Sequence, residues 1–445
     1  MERLPLRPDA HDGSAGRAHH PEHVHLHRRP HAELGGPHGH GDHRQHPGRR
    51  APRGGAALHR RRRHRGCREV SALRVHALAD GYGELADLAT SFVAQDPGWP
   101  FQLAVHADGG LLADLAAGAG YDDPDHRALH LQASATKGVA GVSLALALQD
   151  SGASADDAVS RWWPEFAAGG KERVTVAQLA SHQVGLLAAR GRPSLDDWGR
   201  SGAVAADLAA QSPAWAAGAG HGYHALTVGP LVDELVHRLS GLSVVEHHEQ
   251  RVRAPTDIDF WLRLPAEQLP RLHPVEVPGG GGGPGPSPGS LTDLATGQLD
   301  AIGPGNAWVA SRALLDAGVA SVSGAGSALG LSQVYARATG VDGRAALLSA
   351  DTTAEVARLR TAGTDLVLGV ETRFAVLFQK PSPRHDFGTA EAFGHDGAGG
   401  ALGFADPGTG VAFGFTTGRV PQPAGADRRA LAFAAVLRRL RWRRS

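Results

Sequence analysis

The chain has 445 residues, 42% of them hydrophobic and 20% charged, and its 45 basic and 45 acidic side chains leave a formal net charge of +0. That balance excludes nucleic acid or an acidic membrane as a partner recruited by overall charge. Cys67 is the one cysteine, which excludes an intramolecular disulfide framework, and no run of 18 apolar residues offers a membrane span. With arginine, histidine and proline where an export signal needs an apolar stretch, the sequence predicts a cytoplasmic protein.

In chain order, residues 1–70 form a low-complexity tail rich in His, Arg, Pro and Gly that holds about half of the 26 histidines. Too few apolar residues are present there to offset backbone ordering, so disorder is the expected state. The alternation His23-Val24-His25-Leu26-His27 places three imidazoles on one face of an extended segment, so a metal-binding tail is a rival to the reading of these histidines as a compositional signal. Residues 71–445 are expected to form one catalytic domain, ordered from about Asp80.

Leu85 to Val93 has helical spacing, and Gln102 to Val105 and Leu111 to Leu115 read as strands joined by a turn at Gly109-Gly110. After a polar loop, Asp122 to His126, Ser134 opens an apolar helix that ends at Gly152. Residues 155–265 read as mainly helical, with a helix introduced by Val174 to Leu179 and an amphipathic one over Leu226 to Leu239. Pro278 to Pro288 is a glycine-proline loop. Helical character resumes over Val309 to Ala320, Ala325 to Ala338 and Thr353 to Leu359. Strand-like runs follow at Phe374 to Phe378, Ala401 to Ala405 and Val411 to Thr416, before an arginine-rich helix, Asp427 to Trp442. A sheet built from both ends of the ordered region, with a helical part over roughly 145–340 between them, is the expected architecture.

Lysine occurs at Lys137, Lys171 and Lys380 alone, so each carries information. Ser134-Ala135-Thr136-Lys137 is an S-x-x-K string at a helix start, a spacing that sets hydroxyl and amine one turn apart on one face. A serine hydroxyl needs a base, and a lysine serves if burial lowers its pKa. Tyr223, in His221-Gly222-Tyr223-His224-Ala225, is a candidate proton carrier between Ser134 and a leaving group. In Gly394-His395-Asp396-Gly397-Ala398, small residues allow close approach of a substrate, and a backbone N–H there could pair with that of Ser134 as an oxyanion hole.

These pieces, in this order, resemble the serine β-lactamase and penicillin-binding-protein superfamily, and most of all its class C-like, family VIII carboxylesterase branch. Trp163-Pro164-Glu165-Phe166 and the run from Val174 to Leu186 resemble further family motifs. The resemblance implies an α/β fold of the β-lactamase/transpeptidase type, an antiparallel sheet flanked by helices with an inserted helical subdomain. It implies Ser134 as acylated nucleophile, Lys137 as its activator and Tyr223 as acid/base. His395 stands where the lactamase lysine of K-T-G would be, with Gly397 and Ala398 completing the oxyanion side. Ala225 replaces the asparagine with which lactamases hold an amide side chain. Both departures point to uncharged small-molecule esters rather than penicillins. The rivals are a β-lactamase or D-Ala-D-Ala peptidase and a non-catalytic binding protein on the same fold. No metal or organic cofactor is called for, and the oligomeric state is open.

Overall fold

A computed structural model describes residues 73–118, 121, 128–200, 202–278, 286–298 and 311–443, all within one unit, Cys67–Ser445. The tail of residues 1–70, the loop Asp122 to His126, residues 279–285 of the glycine-proline run and the first two residues of the run from Val309 lie outside the described residues. No helix among the described residues is long and apolar enough to cross a membrane.

The strands in chain order are β1 (Arg74–Leu78), β2 (Phe101–Ala107), β3 (Gly110–Ala117), β4 (His130–Leu131), β5 (Phe260–Trp261), β6 (Ala325–Gly326), β7 (Thr361–Thr364), β8 (Glu371–Phe374), β9 (Phe393–Asp396), β10 (Leu402–Asp406) and β11 (Val411–Thr417). The main sheet runs β1-β3-β2-β11-β10-β9, and every neighbouring pair is antiparallel. A two-residue turn joins β2 to β3. Asp108 and Gly109 both have positive φ (53° and 85°), the conformation whose twist matches that of the flanking strands.

Alternation along β2 sorts its side chains between two layers. Phe101, Leu103 and Val105 join the core beneath the helices Gly83–Gln95 and Arg428–Trp442, where Phe92 meets Phe433 at 5.5 Å. Gln102 and His106 face the helix Ala328–Thr339, taking the N–H of Ala328 (3.0 Å) and meeting the Ser332 hydroxyl (3.1 Å). That helix lies so close to β11 that a Cβ on Gly414 would come within 2.2 Å of the Ala328 carbonyl.

The helix Ala135–Ser151 is buried without a break from Ala135 to Leu148, so it shows no polar face. It packs against the helices Val228–Ser240 and Ala328–Thr339 and against β9, which places its N-terminus where the sheet edge meets the helical layer.

Several expectations need correction. Order begins earlier than Asp80, because β1 pairs with β3. Phe374 to Phe378 is not a strand. Only its first residue belongs to β8, and the chain then turns, with Leu377 at φ 63° and Ala375 N–H bonded to the Phe378 carbonyl. The unbroken apolar run there reflects burial on all sides of a turn, not a pleat. The hairpin β7–β8 was not legible, since its short strands are partly exposed and carry mixed polar residues. The region 155–265 holds several one- and two-turn helices, Val176–Ala180 and Ala203–Ala209 among them, and one long helix, Val228–Ser240.

Candidate active site

The turn that carries Ser134 begins at β4. Gln132 donates from its side chain to the carbonyls of His130 (2.9 Å) and Gly326 (2.8 Å) and from its backbone to that of Gly324 (2.7 Å). Ala133 then adopts φ 46°, the left-handed region that costs an L-residue about 1–2 kcal/mol. The neighbours impose it. Thr136 Oγ1 donates to the Ala133 carbonyl (2.5 Å) and accepts from Gly324 N–H (2.9 Å). The chain thus reverses sharply, and Ser134 stands at the helix N-terminus with its side chain facing a cleft of about 190 Å³.

One turn on, fully buried Lys137 donates from Nζ to Ser134 Oγ (3.1 Å), to the Ala225 carbonyl (2.9 Å) and to the Ser321 carbonyl (3.0 Å). The two carbonyls can only accept, so they orient two N–H bonds and aim the third tetrahedral direction at the serine. Burial lowers the amine to a pKa of about 7, against a weak opposing pull from Asp396. Near neutrality Lys137 is therefore partly a free amine whose lone pair faces the Ser134 hydroxyl.

Tyr223 lines the cleft beside Ser134, and Lys137 Nζ lies 4.9 Å from the centre of its ring. Burial raises the phenol well above its ordinary range, so it rests as a proton donor. The ring of Tyr223 lies 4.9 Å from that of His182 and stacks at 6.1 Å, 14°, on Phe374. Behind it, His224 donates from Nδ1 to the Gly222 carbonyl (2.6 Å) and accepts at Nε2 from Leu186 N–H (3.0 Å). Its own N–H donates to His182 Nδ1 (3.2 Å).

Gly397 and Ala398 follow β9. A Cβ on Gly397 would lie 2.1 Å from the Gln132 carbonyl, so glycine alone lets this turn reach the serine turn. Ala398 lines the cleft. Among the described residues, neither the N–H of Ser134 nor that of Ala398 has a protein acceptor, which leaves both free for a developing oxyanion.

His395 departs from the part expected of it as a substrate contact. It is buried, does not line the cleft and donates from Nδ1 to the Asp396 carbonyl (2.7 Å), leaving Nε2 without a partner. Burial lowers its pKa to about 4, so the imidazole is neutral. The cleft wall is instead Asp396, a residue that sequence reasoning passed over inside the same string. Its carboxylate accepts from Gln379 Nε2 (2.8 Å) and Ala426 N–H (2.9 Å) and faces His385 at 3.5 Å. Leu368, Glu371, Thr372 and Arg373 of the β7–β8 hairpin line the cleft as well. Their chemistry had no motif to announce it, and only the fold brings the hairpin here. Among the described residues no cluster of His, Cys, Asp and Glu is arranged to hold a metal ion.

A serine bonded to a buried lysine amine, in a cleft shared with a tyrosine and Ala398, has the groups that acyl transfer needs. The comparisons agree. EstA from Arthrobacter nitroguajacolicus Rue61a is 34% identical, with a TM-score of 0.76, over 84% of this chain and 100% of that one. A family VIII carboxylesterase is 27% identical, with a TM-score of 0.71, over 84% and 99%. A penicillin-binding-protein homologue from Caulobacter crescentus is 26% identical, with a TM-score of 0.72, over 83% and 100%. The protein called esterase/beta-lactamase LipL of Mycobacterium tuberculosis is 30% identical over 383 residues, 79% of this chain and 84% of LipL. With the family description Beta-lactamase matching residues 101–437, the chain belongs to the beta-lactamase family.

Proposed function

We propose that this chain is a serine hydrolase that cleaves carboxylic esters of small molecules through an acyl-enzyme on Ser134. The observation that carries the reading is the threefold hydrogen bonding of Lys137 Nζ, which points a depressed amine at one hydroxyl. Lys137 takes the Ser134 proton as Oγ attacks the ester carbonyl, and the N–H groups of Ser134 and Ala398 hold the oxyanion. Collapse breaks the bond to the alcohol oxygen, which takes a proton from Tyr223. The phenol is reprotonated from Lys137, so one proton has passed from serine to alcohol. Water then attacks the acyl-enzyme, and the steps run in reverse with acid as the product.

Esters rather than penicillins fit Ala225, which stands where lactamases use an asparagine to hold an amide side chain. The relative named a family VIII carboxylesterase supports the same choice, while the name esterase/beta-lactamase of LipL carries both activities. The lone Cys67 supports a cytoplasmic location, since it allows no intramolecular disulfide. The test is mass spectrometry of the protein and Ser134→Ala after exposure to a fluorophosphonate, with p-nitrophenyl butyrate hydrolysis followed in parallel. Adduct and turnover lost together in the variant support the reading. A folded wild type that neither labels nor hydrolyses overturns it in favour of a binding protein.

A further inference from the structure

The tip of the β7–β8 hairpin contains a carboxylate with no solvent exposure, Asp365. A buried carboxylate is stable only when hydrogen bonds replace its lost hydration, and Asp365 has four. Its Oδ1 accepts from the N–H groups of Val367 (2.9 Å), Leu368 (2.9 Å) and Tyr223 (3.0 Å), and its Oδ2 accepts from Thr372 Oγ1 (3.1 Å). Three of these donors lie within the hairpin and would serve to shape the turn alone. The fourth comes from 142 residues away, from the main chain of the residue that lines the cleft beside Ser134.

A second link runs beside it. Leu366 N–H donates to the His221 carbonyl (2.9 Å), so the segment His221 to Tyr223 is pinned to the hairpin tip at both ends. The His221 ring is held between two hairpin threonines, Thr361 at Nδ1 (2.9 Å) and Thr372 at Nε2 (2.9 Å). Because Thr372 donates to Asp365, it must accept from His221 Nε2–H, and His221 Nδ1 must accept from Thr361. The direction of the chain Thr361, His221, Thr372, Asp365 is thus set by the carboxylate at its end. The hairpin reaches the ring of Tyr223 as well, through Phe374, the last residue of β8.

We propose that Asp365 is a positioning residue, which fixes Tyr223 over Ser134 and Lys137 by holding the tyrosine main chain and the hairpin tip on one carboxylate. The proposal rests on the reading of Tyr223 as proton donor to the leaving alcohol. An alkoxide leaves only if it is protonated, whereas p-nitrophenolate leaves unaided, so a displaced Tyr223 penalises alkyl esters selectively. Loss of fold penalises both alike.

The experiment compares kcat/KM for ethyl butyrate and p-nitrophenyl butyrate, which share an acyl group, in the wild type, Asp365→Ala, Asp365→Asn, Thr372→Val and Tyr223→Phe. Asp365→Ala is expected to lower the ethyl ester value roughly 10- to 100-fold and the nitrophenyl value far less. Asp365→Asn should recover most of it. An amide oxygen keeps the three N–H bonds, its NH₂ faces Thr372, and threonine and histidine can both reverse their donor roles. Thr372→Val should shift the ratio in the same direction by a smaller factor, and it keeps the test alive if Asp365→Ala does not fold. Equal losses on both esters, an unchanged ratio in Thr372→Val, or an Asn variant as impaired as the Ala variant overturns the proposal. If Tyr223→Phe shows no selective loss, the reading of Tyr223 itself has failed. If it does and the Asp365 variants do not, only the present inference has.

Discussion

Lys137 Nζ and Ser134 Oγ lie 3.1 Å apart, and the amine reaches the hydroxyl because two carbonyls, of Ala225 and Ser321, occupy its other directions. These acceptors come from distant parts of the chain, and the helix that carries Lys137 is buried from Ala135 to Leu148. The same burial that makes the amine costly to protonate fits it for the proposed part of base.

Removing that base should lower kcat/KM for p-nitrophenyl butyrate by about 10²–10⁴-fold in Lys137→Met, the usual range for a general base. Lys137→Arg should be as inactive, because a guanidinium stays charged and offers no lone pair. Steady-state kinetics on the two variants checks both, and a Lys137→Arg enzyme with near-normal turnover would exclude lysine as base.

The pH dependence has a definite sign. Lys137 is held at about 7 in the folded chain against an ordinary 10.5, so between those values the unfolded chain binds the extra proton. Stability contributed by this group therefore rises with pH across that window and is lowest below pH 7, where the buried amine is charged. The acid limb of kcat/KM should have its midpoint at about pH 7. Melting temperatures of the wild type and Lys137→Met, compared from pH 6 to 10, should converge or cross as the wild type gains relative stability.

Gly397→Ala places a Cβ 2.1 Å from the Gln132 carbonyl, a backbone atom that cannot swing aside. We expect a loss of stability of about 1–3 kcal/mol, typical of overpacking, together with a larger loss of turnover as Ala398 N–H moves off the oxyanion position. Thermal denaturation and kcat measured on one preparation separate the two effects.

Chain-length preference should follow the hairpin tip. Leu368 lines the cleft while staying 37% exposed, and Leu366 and Val370 beside it are exposed too. An aliphatic wall that is half open contributes less than the ~0.8 kcal/mol per fully buried methylene. Leu368→Ser should lower the ratio of octanoate to acetate hydrolysis roughly three- to tenfold, read as kcat/KM on the two p-nitrophenyl esters. An unchanged ratio would place the substrate chain elsewhere in the cleft.

Chemistry carried by neighbours in sequence was legible without the fold. The S-x-x-K spacing sets Ser134 and Lys137 one helical turn apart wherever that helix sits, and the apolar residues after it already require burial and a depressed amine. Apolar runs and helical spacing likewise marked β2, β3, β11 and the long helices. Tertiary structure alone decided what distant segments bring. The neutral, buried state of His395 depends on its inward direction in β9, and the place of Asp396 on the cleft wall depends on its partners Gln379 and Ala426. The four-donor seat of Asp365 against Tyr223 depends on a hairpin whose short, mixed strands carry no period. Local pattern encodes which face of an element is buried, but hydrogen bonds between elements are directional and short-ranged, so they exist only once packing has set the distances.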